Sequence, residues 1–131
     1  WSSDVCSSDL MKDVKESINS YTMTAASILI GAAALEDEDY FQEKLAMVMA
    51  TRSRVKEELE RRGFTVLDSR ANFLFAKKEG VSGTELFEKL RDKKIFVRHF
   101  NGERIKDYLR ITIGTDEQMD AMLKALDEIL G

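Results

Sequence analysis

The 131-residue chain has no proline, a single cysteine and a single histidine. A lone Cys6 excludes an internal disulfide framework and a cysteine-rich zinc site. A lone His99 excludes a histidine-cluster metal site and leaves little for a Ser-His-Asp arrangement. A basic surplus is lacking too. Twenty Lys and Arg stand against 24 Asp and Glu, for a net charge of -4 and a pI near 5.1. That argues against a nucleic-acid binder, which should show a basic surplus or stripe. The longest smooth apolar run, Ala25 to Leu35, is shorter than the roughly 20 residues of a membrane-spanning helix. No glycine-rich phosphate loop is present, and no lysine sits in the apolar setting of a Schiff-base lysine. What remains is 44% hydrophobic and 34% charged, the balance of a soluble globular chain of about one domain.

Trp1 to Leu10 reads WSSDVCSSDL. It shows no helical or strand period, and it lacks the basic start and apolar core of a signal peptide. It resembles the translation of a sequencing-library adapter, and is expected to be disordered and outside the fold. Setting it apart removes the only Trp, the only Cys and two acids, Asp4 and Asp9. The rest then has no cysteine, as fits a reducing, cytoplasmic compartment. It also implies a reading frame cut at its 5′ end, so that the chain is the tail of a longer protein.

Along the remaining chain, Lys12 to Ser20 reads as the end of a helix, with Val14 and Ile18 four residues apart. Asn19 to Thr22 breaks it. Thr22 or Thr24 can cap the next helix, over Ala25–Leu35, whose smooth Ala-rich face suits a helix–helix contact. Glu36 to Arg62 predicts a long helix. Phe41, Leu45, Val48, Arg52, Val55 and Leu59 form one stripe on it, and Gly63 is placed for a left-handed C-cap. At about 39 Å it is long enough to link two domains. Strands are predicted at Phe64–Leu67, Asn72–Ala76, Ile95–Arg98 and Leu109–Ile113. Ser82-x-x-Glu85 and Thr115-x-x-Gln118 read as capping boxes. They open helices that turn Leu86, Phe87 and Leu90, and then Met119, Met122, Leu123, Leu126, Ile129 and Leu130, inward. The fold class is α+β: a small sheet of three or four strands covered on one face by helices, preceded by one or two helices.

Two arginines sit inside strands. Period two puts Leu109, Ile111 and Ile113 on one face and Arg110, with Tyr108 and Thr112, on the other. Arg98 ends the strand whose core side takes Ile95 and Val97. A guanidinium on a rigid strand suits bidentate binding of a carboxylate or phosphate. The plainer alternative is a salt bridge to an acid such as Asp107 or Glu103. His99 follows Arg98, but a lone histidine at a strand end more often packs or faces solvent than acts as a catalyst. Tyr21, after a helix break, is more often a packing residue than a ligand contact.

From about Val14 onward the chain resembles the tail of the histidinol-phosphate aminotransferases, which are fold-type-I, pyridoxal-phosphate-dependent enzymes. The pieces that carry the resemblance are Val14-Lys15-Glu16-Ser17 with Asn19-Ser20-Tyr21-Thr22, then Ala32 to Leu35 before Tyr40-Phe41. Thr51-Arg52, Gly63-Phe64 and Ser69 through Phe73 follow. Last come Val97 to Asn101 and Tyr108 to Thr115, the most specific run. The resemblance implies a homodimer that converts histidinol phosphate and 2-oxoglutarate to imidazole-acetol phosphate and glutamate, using pyridoxal phosphate in a part of the protein upstream of these residues. It makes Arg110 and Arg98 the substrate-binding residues, at the substrate's carboxylate or phosphate, and assigns no catalytic, cofactor-binding or metal-binding residue to this chain. Tyr21 and Thr22 match a segment near the cofactor and the dimer interface. Residues 11–36 become a helical remnant of the large domain with its linker, and 37–131 the C-terminal small domain. Such a fragment is expected to be inactive alone. Two alternatives stand beside it: another fold-type-I aminotransferase or amino-acid phosphate decarboxylase, and a stand-alone α+β binding module.

Overall fold

Two periods of polarity build the chain, and a computed structural model describes residues 4–17 and 23–131, with side chains from residue 11 onward. The elements run α1 (Asp4–Ser17), α2 (Ala25–Glu36), α3 (Glu38–Arg61), β1 (Phe64–Leu67), β2 (Phe73–Lys78), α4 (Gly83–Asp92), β3 (Arg98–His99), β4 (Leu109–Thr112) and α5 (Asp116–Leu130). They fall into two units, one up to Glu38 and one from Asp39 to Gly131.

In the first unit, α1 takes in Asp4–Leu10, where disorder was expected. An established helix propagates at little cost per residue, and this stretch holds neither the glycine nor the proline that would stop it. Thr24 caps α2, its hydroxyl accepting from the Ser27 amide at 3.1 Å. No α2 residue is buried, and Ile28, Leu29, Ile30 and Leu35 are all exposed.

In the second unit, four antiparallel strands lie in the order β1-β2-β4-β3. Leu74 and Ala76 of β2 face Ile111 and Leu109 of β4 in register. All four are buried, together with Val55 and Leu59 of α3, Leu86 and Leu90 of α4, and Met119, Met122, Leu123 and Leu126 of α5. Helices therefore cover one face of the sheet, as the period-two and period-3.6 patterns require. Arg54 of α3 pairs with Asp116 and Asp120 of α5, and Arg62 with Asp127. Thr115 and Gln118 form the full capping box at the start of α5, whereas at α4 only the Ser82 half is made.

Three expectations need correction. The apolar stripe of α3 is buried only in its C-terminal half, at Thr51, Val55 and Leu59. Phe41 and Leu45 are 50% and 40% exposed, because the core packs no farther up the helix than partly buried Val48. The strand expected over Ile95–Arg98 shrinks to Arg98–His99. The reason is the end of α4. The Ile95 amide donates to the Leu90 carbonyl at 2.9 Å and the Lys94 amide to Arg91 at 2.9 Å. These are the two bonds of a Schellman motif. Ile95 is thereby committed to closing a helix and has no amide left for the sheet. Lys94 takes the left-handed position usually held by glycine, at φ 64°. Finally, β2 runs on to Lys78, and β4 stops at Thr112.

Gly83 marks a close approach that the sequence does not advertise. A Cβ there would lie 2.5 Å from the Lys106 carbonyl oxygen and 2.8 Å from the Asp107 Cα. The backbone before β4 rests directly on the first residue of α4. His99 fastens the same segment, its Nε2–H donating to the Lys106 carbonyl at 2.6 Å.

Candidate functional site

The sheet face turned away from the core carries a different chemistry. Alternation along β2 gives it Phe73, Phe75 and Lys77, and along β4 it gives Arg110 and Thr112. Register then places Phe75 opposite Arg110, and Arg110 opposite Arg98. Phe75, Arg110 and Arg98 form one row across β2, β4 and β3. Directly opposed side chains have Cβ atoms about 4.5–5.5 Å apart, and like charges in that relation are destabilising. Two guanidinium groups are held against their mutual repulsion on adjoining strands.

Aromatic rings line the two charges. The Arg110 Cζ lies 4.2 Å from the Phe73 ring centroid, and the Arg98 Cζ 5.3 Å from that of Phe100. Phe100 meets Phe75 edge-on at 6.1 Å, and Phe75 stacks on Tyr108 at 4.8 Å with the planes 6° apart. Lys77 Nζ is 5.4 Å from the Tyr108 ring. A cation over a ring face gains about 0.5–2 kcal/mol. One donor goes unmet: Arg110 Nε is buried with no hydrogen-bond partner. A buried polar group left in that state costs about 1–3 kcal/mol.

Some other arginines of this unit are paired, although Arg91, over the Phe87 ring, has no ion pair among the described residues. Arg54 and Arg62 are bound to acids, and Arg52 donates to the Ala71 carbonyl at 2.9 Å. Among the described residues, neither Arg98 nor Arg110 has an ion pair, and neither Asp107 nor Glu103 is paired with them. The salt-bridge alternative therefore finds no support. Two cations without ion pairs, each over an aromatic ring, have the charge and donor geometry that suits a carboxylate or phosphate.

The remaining candidates fall elsewhere. His99 is tied to the Lys106 carbonyl, and its ring stacks on Phe87 with centroids 5.8 Å apart. It acts as a clamp on the loop before β4. Tyr21 and Thr22 lie outside the described residues. No lysine among the described residues is buried, and no group of three or more His, Cys, Asp or Glu among them could hold a metal ion. Sequence reasoning missed Phe73, Phe75 and Phe100. For Phe73 and Phe75 the signal was present in the alternation of β2, where they take the positions on either side of Leu74; Phe100 lies beyond β3 and has no such pattern.

Residues 4–126 match the family described as aminotransferase class I and II. The chain belongs to that family. The matched stretch begins inside the decapeptide set apart above. This aminotransferase chain is 45% identical over 122 residues to histidinol-phosphate aminotransferase 2 of Rhizobium meliloti (strain 1021), covering 93% of itself and 35% of that relative. It spans about a third of the length of the curated relatives it matches. Among solved structures, it superposes with a TM-score of 0.75 and 24% identity on the histidinol-phosphate aminotransferase of Sinorhizobium meliloti in complex with pyridoxal-5′-phosphate, covering 91% of itself and 33% of that chain. A decarboxylase from Sulfurospirillum multivorans gives 0.74 at 18% identity, over 95% of this chain and 37% of the other. These two likenesses speak for the fold alone, and the fold is shared by enzymes of different activity.

Proposed function

We propose that the chain is the C-terminal part of a histidinol-phosphate aminotransferase, in which Arg110 and Arg98 hold the anionic end of each substrate. The observation that carries this reading is the opposed guanidinium pair with no acid beside it. Histidinol phosphate and 2-oxoglutarate would yield imidazole-acetol phosphate and glutamate. Both amino substrates carry an anion close to the carbon that bears the exchanging group, the phosphate in histidinol phosphate and the α-carboxylate in glutamate. A common anchor would keep the exchanging carbon at one place for both half-reactions.

Pyridoxal phosphate, present in the Sinorhizobium structure, supplies the electron sink for amine exchange when bound. With no buried lysine among the described residues, none has the desolvated setting of a Schiff-base lysine. On the family resemblance the covalent site lies upstream of these residues, whose part is to bind and orient the substrate. We take the intact enzyme to be a cytoplasmic homodimer, on the family resemblance. Among the described residues no helix is long and apolar enough to cross a membrane.

The test is to mix the intact enzyme, loaded with pyridoxal phosphate, with histidinol phosphate and with glutamate separately, and to follow the cofactor absorbance. Amine transfer from both is expected. Loss of CO2 in place of amine transfer, or inertness towards histidinol phosphate, would refute the reading.

A further inference from the structure

The Arg110 side chain has one feature that an anion-binding role alone does not explain. Its Nε–H, one of the donors a guanidinium can offer a ligand side-on, is buried and unmet. Its Cζ sits 4.2 Å from the Phe73 ring centroid, closer than any other cation–ring pair in the described residues. Phe73 belongs neither to the buried core nor to the apolar residues packed against it. It faces away from Leu74, pairs with Thr112 across β2 and β4, and stands beside Arg110 on the open face.

Resting on the anion-site reading above, we propose that Phe73 is a positioning residue for the capture of carboxylates and phosphates. Its ring face sets the plane of the Arg110 guanidinium. With Nε turned into the protein, the two Nη groups are the donors left for the ligand, in an end-on fork. Bidentate binding depends on that plane, since both N–H bonds must meet both oxygens at once. The ring also spreads attraction over the cation without supplying a counter-charge, so the site stays open to an external anion. An aspartate in the same place would occupy the fork.

The test uses the intact enzyme, inorganic phosphate as the probe, and nitrogen–proton spectra of the arginine side chains at low salt. In the wild-type enzyme the Arg110 Nε–H signal should carry an upfield shift from the Phe73 ring, and phosphate should move the signals of Arg110 and Arg98. Phe73→Leu should erase the upfield shift and weaken phosphate binding about fivefold. Phe73→Tyr, which keeps the ring face, should restore both. Phe75→Leu removes the neighbouring ring of the same face and should leave the Arg110 shift in place. Full phosphate affinity in Phe73→Leu, or failure of Phe73→Tyr to restore it, would overturn the positioning role while leaving the anion site intact. A wild-type enzyme that binds no phosphate would overturn the anion-site reading, and this inference with it.

Discussion

Replacing Arg98 and Arg110 one at a time in the intact enzyme should separate their contributions. Arg110 stands on β4, paired on both sides by β2 and β3, with its guanidinium seated on Phe73. Two charge-assisted hydrogen bonds from its Nη groups contribute about 1.5–3 kcal/mol each. Arg110→Ala should therefore lower kcat/KM by about 10²-fold or more in both half-reactions. Arg98 is exposed and lies on a two-residue edge strand, so solvent screens it. A unit charge near a protein surface attracts an anion by about 1–4 kcal/mol at contact. The lower end applies to an exposed group, giving about 1 kcal/mol against the single charge of the glutamate carboxylate. A phosphate monoester carries about -1.5 to -2 charges near neutrality, so its loss is about twice as large. Arg98→Ala should cost the histidinol-phosphate half about fivefold more than the glutamate half. Arg98→Lys should recover part of the difference, because charge returns without the fork. Single-turnover kinetics of each half-reaction reads the loss for every variant. Equal losses in both halves for Arg98→Ala, or an unaffected glutamate half for Arg110→Ala, would refute the assignment.

Four further outcomes follow. The 131-residue chain mixed with pyridoxal phosphate, histidinol phosphate and 2-oxoglutarate should show no turnover; measurable glutamate formation would mean that the described residues do contain the covalent site. Lys94→Gly should raise stability by about 0.5–1 kcal/mol in urea melts, since the left-handed φ at that position strains any side chain; a loss of stability would contradict the Schellman reading. Gly83→Ala should instead cost about 1–3 kcal/mol, seen as a melting point lower by about 4 °C or more, although alanine normally favours a helix; a stabilised variant would show that the Lys106–Asp107 backbone does not bear on α4. On acidification the chain should lose stability below about pH 4.5. The hydrogen bond from Arg62 holds Glu58 and Asp127 below their usual range, and that from Arg54 does the same for Asp116. The unfolded chain then takes up protons before the folded one, so the stabilisation is full above the ordinary values of 4.5 and 3.8 and is lost as pH falls through the lower folded ones. Melting curves from pH 6 to pH 2 measure it, and Asp127→Asn should flatten the acid limb.

The sequence made some elements legible and hid others for definable reasons. Val55, Leu59, Ile111 and Leu126 could be placed in the core because burial leaves a period, and a period is visible in one dimension. Gly63 announced the end of α3, and Gly63 indeed takes φ +79°. The end of α4 gave no such signal, because a lysine fills the glycine position. Its cost was hidden, and Ile95 was assigned to a strand although the helix had already taken its amide. The upper half of α3 was misjudged for the opposite reason. Phe41 and Leu45 keep the period, but period records only that a face is apolar and says nothing about how far the covering surface extends.

The same limit explains what could be seen of the site. Alternation alone put Arg110 on the face opposite Leu109 and Ile111, so its side of the sheet was legible. Its partner required register. Arg98 and Arg110 are twelve positions apart in sequence, joined by a loop whose length does not fix the pairing. The residue opposite Arg110 is decided by where β3 begins, and that in turn depends on the Schellman closure at Lys94 and Ile95. Had Ile95 entered the sheet as expected, a longer edge strand would have been free to slide. The tie between His99 and the Lys106 carbonyl, and the rest of that loop on Gly83, narrow the choice further. Two residues with no ligand role thus determine which cations face each other. A one-residue slip would turn Arg98 to the other face of the sheet, since side chains alternate with period two. The proposed anion site therefore depends on the clamp at His99 and Gly83 as much as on the arginines, and changes at either clamp residue should reach it by shifting register while leaving every arginine in place.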